Sequence, residues 1–205
     1  MITDDGSITL YSSYFDQDYQ AVLSGLSQLI FEGDGYSGNK RHSGIFTDNK
    51  EEVGKPMCPG WNNVPKRYIY QPFPHILFQL REVAQIICSE VIEHELTQAI
   101  VNKYTQSDFI SFHKDYHEPG TEPVAVICSF EKNPSAKHVL EFYRTVEDKE
   151  NPYTVKKERS TSLRHEFEME LGNFSVAVMV GMQTRYAHSI KRLDENGDRI
   201  SVVFR

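Results

Sequence analysis

The chain has 205 residues, of which 39% are hydrophobic, 12% aromatic and 25% charged, enough for one domain with a substantial core. That balance excludes a disordered, collagen-like or coiled-coil chain, and no apolar run approaches the length of a membrane-spanning helix. A formal net charge of -7 excludes long-range attraction of the whole molecule to a phosphate backbone, so any nucleic-acid contact has to come from a local patch.

The first twenty residues are acidic and lack the basic start of a secretory signal. Cys58, Cys88 and Cys128 are odd in number and widely spaced, without the pairing expected of a zinc site or a disulfide framework. The expectation is a soluble intracellular protein, cytoplasmic or nuclear, that is not secreted, touches no membrane and is monomeric.

Residues 8–15 read as a strand and turn. Asp16 to Phe31 has helical apolar spacing, with Tyr19, Val22, Leu23, Leu26, Leu29 and Ile30 on one face. Residues 32–75 are rich in Gly, Pro, Asn and Lys, contain the single Trp61, and predict loops and short strands; a stretch of this length without periodicity suits a lid. Pro74 opens a second helix through about Glu93, with Ile76, Leu77, Leu80, Val83, Ile86, Ile87 and Val91 along one face.

Beyond Gln98 the pattern shortens to strands. They are expected at Ala99–Tyr104, Ser111–Asp115, Val124–Phe130, His138–Tyr143, His165–Leu171, Phe174–Val180, Ala187–Ile190 and Arg199–Arg205. Turn sequences such as Glu118-Pro119-Gly120, Gly172-Asn173 and Asn196-Gly197-Asp198 separate several of them. Strands following two helices predict an α+β fold, an antiparallel double-sheet core with helical support.

His113-Lys114-Asp115 falls on a predicted strand, where alternation sends residues 113, 115 and 117 to one face. Two histidines and one carboxylate that leave positions open on the ion suit non-haem iron(II). An isolated His-x-Asp is common by chance, and its weight here comes from what surrounds it. Asn102-Lys103-Tyr104 precedes it, Tyr186-Ala187-His188 supplies a distal histidine, and Arg199 and Arg205 close the chain.

In that order, N-x-Y, H-x-D, a distal H and R-x-x-x-x-x-R, the chain resembles the AlkB family of iron(II)- and 2-oxoglutarate-dependent dioxygenases, which demethylate nucleic acids oxidatively. The likeness extends to Gly6–Phe15 and its helix, to Pro72-Phe73-Pro74 and to Gly172-Asn173. It implies a double-stranded β-helix (jelly-roll) core at 99–205, with residues 1–98 giving a strand, the supporting helices and a substrate lid, all in one domain. It also implies His113, Asp115 and His188 as catalytic iron ligands, and Asn102, Tyr104, Arg199 and Arg205 on 2-oxoglutarate, with O2 as the second cosubstrate.

The chemistry of these residues agrees, because a planar guanidinium binds a carboxylate bidentately. Residues 199, 201 and 205 share a strand face, and Ser201 stands in this pocket where the family commonly has Asn. His117 competes with His188 for the third ligand position. Three ligands at alternate positions of one strand would span about 13 Å, too far for one ion, which favours His188.

The resemblance places His117 where the family has an acidic residue that helps select the substrate base. Arg144 matches a family arginine near that base. Arg41 and Tyr70 in the lid could stack on or hydrogen-bond an extruded base, and Lys156, Lys157 and Arg159 in a charged insert could touch phosphates. The implied reaction is hydroxylation of an N-methyl group in DNA or RNA, single strands included, releasing formaldehyde, succinate and CO2. Two alternatives stand beside it: the same chemistry on a protein side chain, nucleoside or small metabolite, and a binding module that has lost catalysis.

Overall fold

The computed structural model describes residues 2–3, 6–12, 19–29, 32–33, 42–57, 68–105, 108–115, 122–133, 137–144, 164–191 and 198–205. In chain order the elements are β1 (Ile2–Thr3), β2 (Gly6–Tyr11), α1 (Tyr19–Ser27), β3 (Glu32–Gly33), β4 (His42–Thr47), β5 (Gln71–Pro72) and α2 (His75–Ser89). There follow β6 (Gln98–Tyr104), β7 (Ile110–His113), β8 (Val124–Glu131), β9 (Lys137–Arg144), β10 (Arg164–Gly172), β11 (Val176–Val180), α3 (Met182–Arg185), β12 (Tyr186–Lys191) and β13 (Arg199–Phe204).

Among these residues the strands form two sheets. The larger runs β1-β2-β11-β8-β13-β6-β4-β3 with β5 beside β4, and the smaller runs β10-β9-β12-β7. Every pairing but the parallel β4–β5 contact is antiparallel. This is the expected double-stranded β-helix.

The large sheet is covered on both faces, and alternation decides which side chain meets which layer. Val126, Cys128 and Phe130 of β8 and Ile200, Val202 and Phe204 of β13 share a core with Val22 and Leu26 of α1 and Leu77, Leu80, Ala84 and Ile87 of α2. The opposite parity, Ala125 and Ile127 of β8 with Tyr104 of β6, packs on Leu140 and Phe142 of β9 and Ile190 of β12 in the second core, between the sheets. Each large aliphatic residue so enclosed stabilises the fold by roughly 1.5–3 kcal/mol.

Strand β4 is one of the short strands expected within residues 32–75, at a position the sequence pattern did not specify. Ser43 to Thr47 are all buried, and β4 pairs along its whole length with β6. A strand covered on both faces carries no two-residue alternation, so periodicity could not locate it. The second helix ends at Ser89, short of Glu93, because the chain turns into the core. The Gln85 carboxamide donates to the His94 carbonyl and accepts from the Leu96 N–H, satisfying backbone groups of the departing segment.

Gly181 and Gly6 are each required by geometry. Gly181, between β11 and α3, has φ 71°, in the left-handed region. Gly6 has φ 148°, and a Cβ there would lie 2.5 Å from the Val180 carbonyl oxygen. The start of β2 is thereby pressed against the turn leading into α3.

Candidate active site

Strand β7 ends at His113, earlier than the expected Asp115, and register places His113 directly opposite His188 of β12. The two rings lie 4.3 Å apart. Asp115 follows two residues beyond the strand end, where the chain is free to turn its carboxylate back. Its Oδ1 is 3.4 Å from His113 Nε2 and its Oδ2 is 3.8 Å from His188 Nε2. One donor atom from each of the three lies within 4.8 Å of the others, a spacing that fits a single ion.

Arg205 Nη2 lies 2.9 Å from Asp115 Oδ2. Burial alone would raise the Asp115 carboxyl, but the Arg205 guanidinium, a hydrogen bond with His113 and the neighbouring His188 and His113 outweigh it and hold the group well below the usual carboxylate range. The carboxylate stays ionised, as a metal ligand must be. A second contact involves Gln183, whose Nε2 donates to Asp115 Oδ2 at 2.7 Å while its Oε1 accepts the Asp115 N–H at 2.8 Å.

Behind this triad, β6 and β13 line a cavity. Asn102, Tyr104, Arg199, Ser201, Val203 and Arg205 face it together with His113, Asp115 and His188. The parity reasoning for 199, 201 and 205 therefore holds, although β13 itself ends at Phe204. Arg199 is almost wholly buried, opposite Tyr104 on one neighbour and Glu131 on the other. Its Nε donates to Ser129 Oγ at 3.1 Å and lies 3.5 Å from Glu131 Oε1. Glu131 Oε1 in turn is 3.0 Å from His138 Nδ1.

Arg199 Nη1 and Nη2 and the Tyr104 hydroxyl are buried without a hydrogen-bond partner among the described residues. Such donors are costly to leave empty. A carboxylate group would satisfy them, and 2-oxoglutarate brings one at each end, so the donor set fits this cosubstrate as the triad fits iron. Asn102 is engaged differently: its Oδ1 accepts from Ser43 Oγ of β4 at 2.9 Å.

The pattern of the 2OG-Fe(II) oxygenase superfamily matches residues 17–205. The chain belongs to that superfamily. Membership makes it an oxidoreductase that uses Fe(II), 2-oxoglutarate and O2. The AlkB-like character expected from motif order has its counterpart in fold. OsALKBH1 superposes with a TM-score of 0.60 at 14% identity over 97% of both chains.

Two further oxygenase structures share the fold. A 2OG-Fe(II) oxygenase family oxidoreductase from Burkholderia pseudomallei superposes at TM-score 0.56 and 14% identity, over 96% of this chain and 84% of that one. A Pseudomonas putida prolyl-4-hydroxylase does so at TM-score 0.57 and 8% identity, over 98% and 92%. Comparison with curated proteins finds no match.

The expected substrate residues fare unevenly. Arg144 ends β9 on the same face as Phe142, opposite Tyr186, with its guanidinium carbon 5.9 Å from that ring. Tyr70 is buried, its backbone paired with Gly54 and Lys55, and it is not among the described residues lining the cavity. His117, Arg41, Lys156, Lys157 and Arg159 lie outside the described residues. Cys88 and Cys128 are free and buried.

Sequence reasoning missed Ser43, Glu131, His138 and Gln183. Ser43 and Glu131 depend on cross-strand register and His138 on how one sheet lies over the other, which no local spacing encodes. Gln183 had one available signal, a polar side chain in the short turn just before His188. A second group of possible metal ligands, Glu141, His165 and Glu168, sits on the outer face of the small sheet. Glu141 there already accepts from Ser189 Oγ at 3.0 Å, and His165 and Glu168 are exposed.

Among the described residues no helix is long and apolar enough to cross a membrane.

Proposed function

We propose that His113, Asp115 and His188 hold Fe(II), that Arg199, Tyr104, Asn102, Ser201 and Arg205 form the 2-oxoglutarate pocket, and that the enzyme oxidatively demethylates N-alkylated bases in DNA or RNA. The observation that carries this reading is the shared cavity, lined both by a buried guanidinium whose Nη atoms lack a partner among the described residues and by a two-histidine, one-carboxylate set. The metal and its cosubstrates supply the oxidising chemistry. The chain's own part is to ligate the ion, to fix the dicarboxylate through charge-assisted bonds to Arg199 and to exclude water from between the sheets.

For the base substrate, the support is the motif order and the position of Arg144 at the end of β9, on the face shared with the His188 neighbour Phe142. A cationic side chain stacked on an aromatic ring suits an extruded base or its phosphate. One observation favours a second reading, hydroxylation or demethylation of a protein side chain, nucleoside or metabolite: the net charge of -7 gives no general attraction to nucleic acid.

Succinate and formaldehyde release, measured with N-methylated single-stranded oligonucleotides against methylated nucleosides and peptides, tests the choice. Stimulation by oligonucleotides alone is expected. Stimulation by peptides or nucleosides alone overturns the nucleic-acid reading.

A further inference from the structure

Asp115 poses a structural problem, because it stands two residues past the end of β7, where no strand ladder fixes its backbone or the plane of its carboxylate. A ligand left to rotate there would lose entropy on each metal encounter. What lies against it is the short helical turn α3.

Gln183 of α3 touches Asp115 twice. The backbone N–H can only donate and the carboxylate can only accept, so the two contacts fix which end of the carboxamide is which. Oε1 takes the N–H in place of a missing ladder bond, and Nε2 holds Oδ2. Arg205 occupies that same oxygen from another direction. Oδ1 is the oxygen left toward His113.

The turn itself is anchored. Gly181 starts it with a left-handed backbone, and its N–H bonds the Pro123 carbonyl. Met182 is buried in the inter-sheet core, and Gln183 is itself only 4% exposed. Lys114 Nζ donates to the Thr184 carbonyl at 2.7 Å, so residues 114 and 115 are both tied to the same turn. Directly after it, β12 carries His188 into the site.

We infer that Gln183 is a positioning residue for the metal site, clamping Asp115 so that Oδ1, the oxygen that neither Gln183 nor Arg205 occupies, is presented to the ion. This deepens the metal reading above and rests on it. β12, which follows α3 directly, carries His188, so the turn that holds Asp115 also leads into the strand of a second ligand. Groups that orient metal ligands from behind typically contribute roughly 10–100-fold in metal affinity.

The test is the dissociation constant for Mn(II), titrated without cosubstrate, on the wild type, on Gln183→Met, which keeps the volume and removes both contacts, and on Gln183→Glu, which keeps an acceptor for the N–H but loses the donor. Thermal unfolding of the metal-free proteins and the KM for 2-oxoglutarate at saturating metal accompany it. Both variants are expected to bind Mn(II) roughly 10–100-fold more weakly, with the KM for 2-oxoglutarate unchanged. Should Gln183→Met fail to fold, Gln183→Glu decides on the same measurement.

Wild-type Mn(II) affinity in a folded variant overturns the clamp, even if the variant melts earlier. A wild type that binds no Mn(II) overturns the metal-site reading and the clamp with it, so the two failures are distinct.

Discussion

Arg199 and Glu131 meet between the sheets with neither side chain reaching solvent, Arg199 Nε standing 3.5 Å from Glu131 Oε1. The carboxylate stands beside Nε and leaves Nη1 and Nη2 buried without a partner among the described residues, in a side chain that lines the cavity. A buried charge held this way is costly to orphan. Glu131→Ala should therefore lower the unfolding free energy by about 3–5 kcal/mol. Urea denaturation checks this, and 2-oxoglutarate, bringing a replacement negative charge, should restore part of the loss.

Arg199→Lys tests the cosubstrate edge without removing charge. An ammonium is a point donor and cannot offer two parallel N–H groups to one carboxylate. With about 1.5–3 kcal/mol attributed to a hydrogen bond to a charged group, the KM for 2-oxoglutarate should rise by roughly 10–100-fold. Mn(II) affinity without cosubstrate should not change.

The acid behaviour of the metal-free protein follows from Asp115. Its folded value is depressed relative to an unfolded value of about 3.9, so the stability it confers is complete above that pH and is lost as pH falls through the folded value. Unfolding free energy followed from neutral pH into acid should drop more steeply for the wild type than for Asp115→Asn below about pH 4. Parallel curves would show that the Arg205 contact is not made in solution.

Burial raises the thiols of Cys88 and Cys128 above their ordinary values, Cys128 far more. Neither should react with iodoacetamide in the native protein, and both should react after denaturation. Mass spectrometry of the alkylated peptides reads this directly.

Much of the core was legible because its signals are local. The strands from β6 to β13 all fall within a residue or two of their expected positions, since each is bounded by turn residues. Parity alone placed Arg199, Ser201 and Arg205 on one face. Long-range register was not legible. Nothing in the spacing sets His113 against His188, 75 positions away, or Glu131 against Arg199. The position of strand β4 within 32–75 escaped because enclosure on both faces erased its alternation. The strand expected through Asp115 stops at His113, and that early stop frees the carboxylate to face both histidines.

The most direct test of the central claim is an anaerobic Fe(II) titration with 2-oxoglutarate present, comparing wild type, Asp115→Ala, and Glu168→Ala as a control in the outer carboxylate–histidine group. The account predicts one tight Fe(II) site per chain, lost in Asp115→Ala together with 2-oxoglutarate turnover and intact in Glu168→Ala. Tight iron and turnover surviving in Asp115→Ala but vanishing in Glu168→Ala would contradict it.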